Sequence, residues 1–403
     1  MVKVYKPLFE LGRIVTGKTP KTNVVDYWGG NIPFITPTDI VGYNSYYQYE
    51  TERYVTKKGL DTQKATLLPA NSVCFSCIAS IGKACLTRTF SITNQQINSI
   101  IPNDKNDYRY ILYLLRYNLS YVQMIAGGSG SGTPIISKRK FEKFKFIIED
   151  DLKIQHRIAS ILSAYDSLIE NNTKRIRLLE KMAENLYKEW FVRFRFPGYE
   201  KAEMENGLPK GWKKVRCSDC VDVMSGGTPK TDMVDYYNGS IPFFTPKDAS
   251  SGFFSFATMT TISEKGLANC NSKFYSKGTI MITARGTVGK VNIIDVPMAM
   301  NQSCFALESK TICSNFYLFF SIRNATERIK KMANGGVFDT IIVKTFDYIP
   351  LVIPNHELLI SFDQKISSIM NSISCLAKQN TLLARRRDLL LPRLMSGKLE
   401  VKP

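Results

Sequence analysis

The chain has 403 residues, 44% of them hydrophobic and 22% charged, which is ordinary globular composition and enough length for two or three separate cores. That composition excludes a disordered chain, and no run of about 18 apolar residues exists to cross a membrane. Lys and Arg number 54 against 35 Asp and Glu, a net charge of +19 with a sequence pI near 9.4, so an acidic partner surface is not what this protein presents.

The basic excess is distributed. It is +8 over residues 1–150, +2 over 151–200, +5 over 201–350 and +4 over 351–403. A large, evenly basic chain points to a long polyanion as partner, here nucleic acid. The opening MVKVYKPLFELG holds no apolar segment of signal-peptide type, so a cytoplasmic protein is expected. Histidine occurs only at His156 and His356, which leaves imidazole acid–base chemistry little to work with.

Reading along the chain, residues 12–19, GRIVTGKT, fit the phosphate-cradling G-x-x-x-x-G-K-[ST] pattern. Such a loop requires a helix of several turns directly after it. Pro20 follows at once, and Gly29-Gly30 leaves room for about two turns. Cys74 and Cys77 then stand in C-x-x-C spacing, as do Cys217 and Cys220, and four such thiolates could hold zinc. The tyrosine-rich YNSYYQYETERY, residues 43–54, could stack unpaired bases but reads better as strand packing.

The helical stretch ending in Gly127-Gly128 reads as glycine-capped, with GGSGSGTP after it as a mobile loop near DNA. From Leu152 to Val192 no Pro or Gly intervenes. Apolar residues fall at Ile154, Ile158, Ile161, Tyr165 and Leu168, then Ile176, Leu179, Ala183, Leu186 and Trp190. These steps of 4 and 3 are coiled-coil spacing.

The chain then repeats. GKTPKTNVVDYWGGNIPFITPTDI from Gly17 returns as GGTPKTDMVDYYNGSIPFFTPKDA from Gly226. The blocks around Gly82 and Asn94 return at Gly289 and Asn301, and the glycine pair returns at Gly335-Gly336. A second long helix follows, with Ile366, Ile369, Ile373, Leu376, Leu383, Leu390 and Leu394 as its stripe. Each helix carries one stripe Asn, Asn172 and Asn380, expected to meet on a pseudo-two-fold axis and fix the register. A helix of about 40 residues is about 60 Å long, between one and two turns of B-DNA. Two unlike copies at a fixed spacing suit a split DNA site with two unlike halves.

The repeat also judges the earlier motifs. In the second copy Val221 stands for Gly12 and Gly227 for Lys18, so the phosphate-loop pattern does not persist. Leu8 and Leu11 stand for Cys217 and Cys220, and Met281 and Ala284 for Cys74 and Cys77. Reduced, buried cysteines are therefore expected, with no metal.

The duplicated blocks, LPKGW from Leu208, EWFVRFRFPG from Glu189 and the closing LLLPRLMSGKLEV together resemble the specificity subunit of type I restriction–modification systems. The resemblance covers essentially the whole chain. It implies an α+β fold of two tandemly repeated α/β target-recognition domains, with two long helices forming an antiparallel coiled coil. The domains would be residues 1–150 and 197–350, the helical regions 151–196 and 351–403. Each domain would read one half of a bipartite, asymmetric site in double-stranded DNA.

The helices would set the spacer and dock two methyltransferase subunits that modify adenine N6 with S-adenosylmethionine. Two restriction subunits would supply ATP- and Mg-dependent translocation and cleavage. The chain itself would be non-catalytic and bind no cofactor. The alternative is a stand-alone bipartite DNA-binding protein. The first half departs from the pattern in lacking an LPxGW block.

Polar tips on Gly- and Pro-rich loops, at equivalent places in both copies, are the candidate DNA-binding residues. They are Lys18, Thr19, Lys21, Thr36, Thr38, Ser80, Lys83, Gln95, Gln96 and Lys138 in the first domain. In the second they are Thr228, Lys230, Thr245, Lys247, Arg285, Thr287, Lys290 and Gln302. Positions that differ between copies, such as Thr38 and Lys247, are the better specificity candidates. Arg285 suits guanine in the major groove. The Arg385–Arg387 run reads as a solvated helix face, or a contact to DNA or the methyltransferase.

Overall fold

The computed structural model describes residues 3–42, 46–127, 134–310, 314–332 and 340–402. The glycine caps expected at Gly128 and Gly335-Gly336, and nearly all of the GGSGSGTP loop, lie outside the described residues. The chain divides into two compact units, residues 1–171 with 380–403, and residues 172–379.

Ten strands belong to the first unit: β1 (Lys3–Pro7), β2 (Gly12–Thr16), β3 (Trp28–Ile35), β4 (Tyr47–Gln48), β5 (Arg53–Val55), β6 (Val73–Ser76), β7 (Ala84–Thr87), β8 (Ile92–Thr93), β9 (Ile97–Pro102) and β10 (Lys145–Glu149). They form a five-stranded sheet of order β2-β9-β6-β7-β4, a three-stranded sheet β5-β3-β8 and the pair β1-β10. The second unit repeats this with β11 (Lys213–Arg216), β12 (Val221–Ser225), β13 (Tyr237–Phe244), β14 (Phe254–Ser255), β15 (Thr260–Ile262), β16 (Ile280–Thr283), β17 (Val291–Ile294), β18 (Ala299–Met300), β19 (Cys304–Ser309) and β20 (Pro350–Ile353). Its sheets are β12-β19-β16-β17-β14, β15-β13-β18 and β11-β20.

β1 is the counterpart of β11, and in the second half the LPKGW block directly precedes that strand. Its Trp212 packs against Phe191, Phe194 and Phe196, ring centroids 5.3–5.9 Å away, which accounts for the aromatic EWFVRFRFPG segment. The tyrosine-rich segment supplies β4 and reaches β5, as strand packing requires.

Among the described residues, four helices of ten residues or more complete the layers: α1 (Tyr108–Tyr117), α2 (Leu152–Tyr187), α3 (Asn315–Met332) and α4 (His356–Ser396). α1 buries Ile111, Leu112, Leu114 and Leu115 in one core with Val73, Phe75, Leu86 and Ile100 of the five-stranded sheet. Each such side chain contributes about 1.5–3 kcal/mol by leaving water.

In the first unit Ile154, Ile158, Ala159 and Leu162 of α2 share that core with Leu394 and Met395 of α4. Asp166 meets Arg387, so within this unit the two helices run antiparallel. In the second unit Asn172 Nδ2 lies 3.5 Å from Gln379 Oε1, and Trp190 lies 5.8 Å from Phe362. There too the two helices run antiparallel.

Two expectations fail on this seam. Leu168 is half exposed rather than buried. A helix turns every 3.6 residues, so a strict 3.5 repeat drifts off the contact line. Arg387 is not a solvated residue: it is buried, and its guanidinium binds Asp166. Arg385 and Arg386 remain exposed.

Polar joints seat the shorter helices on the long ones. Asp107 caps α1, accepting from Arg109 N at 2.7 Å and Tyr110 N at 3.3 Å. Its backbone N donates to Gln155 Oε1 at 2.9 Å, and its Oδ2 lies 2.5 Å from His156 Nδ1. In the second unit Ser314 caps α3 and donates to Asp363 of α4.

Burial pushes the Asp107 carboxyl up. The Arg109 guanidinium and the His156 ring outweigh this and hold it below its ordinary 3.8. A depressed carboxyl stabilises the fold fully above its unfolded value and loses that contribution as pH falls through the folded value. Asp107→Asn is therefore expected to melt lower at neutral pH and to show a shallower loss of melting temperature in acid, followed by circular dichroism. An unchanged acid limb would refute the assignment.

Candidate nucleic-acid interface

Five segments of the first unit converge at one end of its five-stranded sheet. They are residues 17–21 after β2, 36–39 after β3, 77–83 between β6 and β7, 94–96 between β8 and β9, and 134–138. Backbone bonds tie them together: Gly17 N to Ile97 O at 3.1 Å, Asn94 N to Ile35 O at 3.1 Å, Cys77 N to Gln96 O at 2.7 Å and Ala79 N to Pro134 O at 3.2 Å. The second unit repeats the convergence. Gly227 N donates to Met300 O at 3.2 Å, Asn301 N to Phe244 O at 3.0 Å, Ala284 N to Ser303 O at 2.8 Å and Ile341 N to Ala284 O at 2.9 Å.

Parallel pairing explains the meeting point. β3 pairs in parallel with β8, and β13 with β18, so the loops leaving those strands emerge side by side. The shared residues then shape the turns. Thr36 donates through N and Oγ1 to Asp39 Oδ2, at 2.8 and 2.6 Å, and Thr245 does the same to Asp248 at the same distances. Each Asp also accepts from a following loop, at Glu52 N and Met259 N, both 2.7 Å. Asp39 and Asp248 were legible only as matched letters of the TP.D block; their role as turn organisers was not.

The candidates separate by what they touch. Lys83 Nζ donates to Pro37 O at 2.8 Å and Lys290 Nζ to Ala249 O at 2.9 Å, so each lysine ties two loops of its own domain. Thr287 Oγ1 donates to Pro246 O at 3.2 Å, Gln96 Oε1 accepts from Asn94 at 2.9 Å, and Thr38 Oγ1 lies 2.7 Å from Thr36 Oγ1. Lys138 pairs with Glu142 at 3.6 Å. Thr19 binds Gln95 and Thr228 binds Gln302.

Lys18, Lys21, Lys230, Lys247 and Arg285 are exposed, and among the described residues their side chains make no hydrogen bond or ion pair. Ser80 is exposed beside Ala79, whose φ is +59°. The result is a hydrogen-bonded turn scaffold carrying unpaired cations and exposed amides, suited to phosphates and base edges.

The nucleotide-hydrolase reading fails on geometry. Residues 12–16 are strand β2, and only a single short turn at Val25–Tyr27 follows before β3. The C-x-x-C cysteines are packed as small hydrophobes, whereas Cys375 is exposed and departs from the expectation of burial. Cys74 faces Cys85 across β6 and β7, both fully buried, and Cys217 and Cys220 line the second core. Among the described residues, no three His, Cys, Asp or Glu side chains are grouped to hold a metal.

Comparison with known proteins agrees with this architecture. The family model for the type I restriction modification DNA specificity domain matches residues 3–181 and again 209–385. The chain is 28% identical over 407 residues to the type I restriction enzyme MjaIX specificity subunit of Methanocaldococcus jannaschii, covering 98% of this chain and 93% of that one. It is 23% identical to the type I restriction enzyme HindI specificity subunit of Haemophilus influenzae, covering 77% and 80%. Among solved structures, the crystal structure of the type I restriction–modification S subunit from M. genitalium superimposes with a TM-score of 0.61. That match has 14% identity and covers 98% and 96%, which marks a shared fold.

Proposed function

The chain belongs to the type I restriction–modification DNA specificity family, and from that premise we propose that each unit's loop platform reads one half of a bipartite, asymmetric site in double-stranded DNA. The observation that carries this reading is the duplication of one rigid scaffold with unlike tips. Thr38 and Lys18 in the first copy stand where Lys247 and Gly227 stand in the second, while Thr36–Asp39 and Thr245–Asp248 keep the same bonds. A shared frame with different exposed groups recognises the same kind of object with different letters. Lys21 and Lys230 supply phosphate contacts, which position the duplex without reading it.

The long helices set the spacing and dock two methyltransferase subunits. In support, α4 exposes Leu382 and Leu389, one heptad apart, and α2 exposes Leu168 in the same unit; in the second unit α2 exposes Leu178 and Met182. Apolar residues left outside a filled seam at helical spacing fit the face of a further helix. Asn172 and Asn380 hold the register. The chain is non-catalytic in this reading: S-adenosylmethionine and adenine methylation belong to the methyltransferase, ATP and Mg to two restriction subunits. No described helix is long and apolar enough to cross a membrane, and the complex works on DNA in the cytoplasm.

Adenine-methylation mapping by single-molecule sequencing tests this, in cells carrying the cognate methyltransferase with and without the chain. A split motif around a fixed gap, present only with the chain, is the expected result. Exchanging residues 1–150 for those of a relative should then change one half of the motif and leave the other. Chain-independent methylation, or none from a folded and cofactor-bound methyltransferase, returns the chain to stand-alone DNA binding.

A further inference from the structure

The two loop platforms differ at most of their exposed tips, yet one exposed constellation is the same in both. Thr19 Oγ1 donates to Gln95 Oε1 at 2.7 Å, and Thr228 Oγ1 donates to Gln302 Oε1. Behind each pair the backbone is pressed together. A Cβ on Gly17 would lie 2.2 Å from Asn94 O, and one on Gly226 would lie 2.3 Å from Asn301 O. Asn94 Oδ1 accepts from Gln96 N and Asn301 Oδ1 from Ser303 N, both at 3.1 Å, so the glutamine stands at the same point of the same turn.

A hydrogen bond between two exposed side chains adds little stability, because water competes for both ends. Its consequence here is orientation. With Oε1 taking the threonine proton, the amide is oriented and Nε2 is turned outward as a donor. Among the described residues neither Nε2 donates to anything. Oε1 keeps a second lone pair beside it. The exposed edge is thus one donor next to one acceptor.

We infer that Gln95 and Gln302 each read an adenine, the one base that the two half-sites have in common through this chain, by donating from Nε2 to N7 and accepting at Oε1 from the N6 amino group. Of the four bases only adenine shows an acceptor beside a donor on its major-groove edge; guanine shows two acceptors, cytosine a donor and thymine an acceptor with a methyl group. Thr19 and Thr228 act as positioning residues, since they set the amide and do not themselves face the base. The inference rests on the proposed function, from which it takes only that each platform faces DNA.

The test uses the full chain in complex with its cognate methyltransferase, without S-adenosylmethionine, on a duplex carrying the mapped site. Adenines are replaced singly by 7-deazaadenine, which keeps the pairing and N6 but removes the N7 acceptor. One position in each half should weaken binding roughly 2- to 12-fold, the range of one lost hydrogen bond. Gln95→Glu, which keeps the length and the threonine bond but loses the donor, should abolish that sensitivity in one half only, and Gln302→Glu in the other. Melting temperatures of both variants should match the parent, because glutamate keeps the threonine bond, so the lost sensitivity reports the base contact and not the fold. A complex that selects its site yet ignores 7-deazaadenine, or glutamate variants that remain sensitive to it, overturns this assignment alone. A complex that does not prefer the mapped site over scrambled DNA overturns the proposed function together with it.

Discussion

Replacing Asp166 by alanine is expected to destabilise the first unit by about 3–5 kcal/mol, the cost of leaving a buried charge without its partner. Asp166 sits on the α2 seam with its carboxylate buried. Oδ1 holds the Arg387 guanidinium, and Oδ2 accepts from Arg116 Nη1 at 3.1 Å and from the Tyr113 hydroxyl at 2.5 Å. Both guanidiniums are nearly inaccessible, with side chains 5% and 3% exposed. Burial lowers the affinity of Arg387 for its proton, and the Asp166 carboxylate more than restores it. Removing that carboxylate takes the buried counter-charge from two cations between α1, α2 and α4, and leaves Arg387 with the half-exposed Asp388 at 2.8 Å.

Thermal unfolding would register the loss, with a fall in melting temperature of about 2–4 °C per kcal/mol for a unit of this size. Hydrogen exchange across residues 380–394 would localise it. Asp166→Leu with Arg387→Met should recover much of the stability, since an apolar pair of similar volume avoids the desolvation cost. Recovery should stay incomplete, because Arg116 still lacks its carboxylate. A loss under about 1 kcal/mol in the alanine variant would mean that water reaches the cluster.

That cluster marks the limit of what sequence periodicity can see. The steps of 4 and 3 over Ile154, Ile158, Ile176 and Ala183, and over Ile366, Ile369, Ile373 and Leu376, placed the two long helices, because apolar residues on one face leave a regular trace. A charged residue on the same face reads as a gap. Asp166 stood beside Tyr165 without a signal, and Arg387 was one of three arginines of which two are exposed. Only the packing partner 221 residues away makes either one a seam residue.

The candidate interface shows the same division. The repeat aligned Lys83 with Lys290 and Thr36 with Thr245, so their equivalence was legible. That the lysines turn back onto Pro37 O and Ala249 O was not, since nothing in a loop sequence tells where a long side chain folds. Duplication works as a filter of a different kind. It removed the phosphate-loop and zinc readings, because chemistry that needs particular residues cannot survive their replacement by Val221, Gly227, Leu8 and Leu11.

The largest functional effect is expected from a residue with no side chain. Gly226→Val would place a Cβ 2.3 Å from Asn301 O and 2.5 Å from Met300 O, both backbone atoms that belong to the β18 end and the turn after it. Neither can yield without loss of the Asn301 N to Phe244 O bond that holds this turn against β13. The 226–230 loop must therefore lift away. With it goes the Thr228–Gln302 pair, and Lys230 leaves its place.

No side chain of residues 226–230 belongs to a hydrophobic core, so the variant should still fold and copurify with the methyltransferase. DNA recognition by the second half should fail. Specific over non-specific binding spans about 10³–10⁷ for proteins of this kind, and losing half of that on a logarithmic scale is about 30- to 3,000-fold. Methylation at the complete split site should drop to background, because both halves must be engaged together. Gly17→Val, with a Cβ 2.2 Å from Asn94 O, should do the same from the other side. In binding assays the two variants should differ in which half-site they still prefer. That difference separates loss of one reading platform from general damage to the chain, and a variant that keeps full methylation would place the reading surface elsewhere.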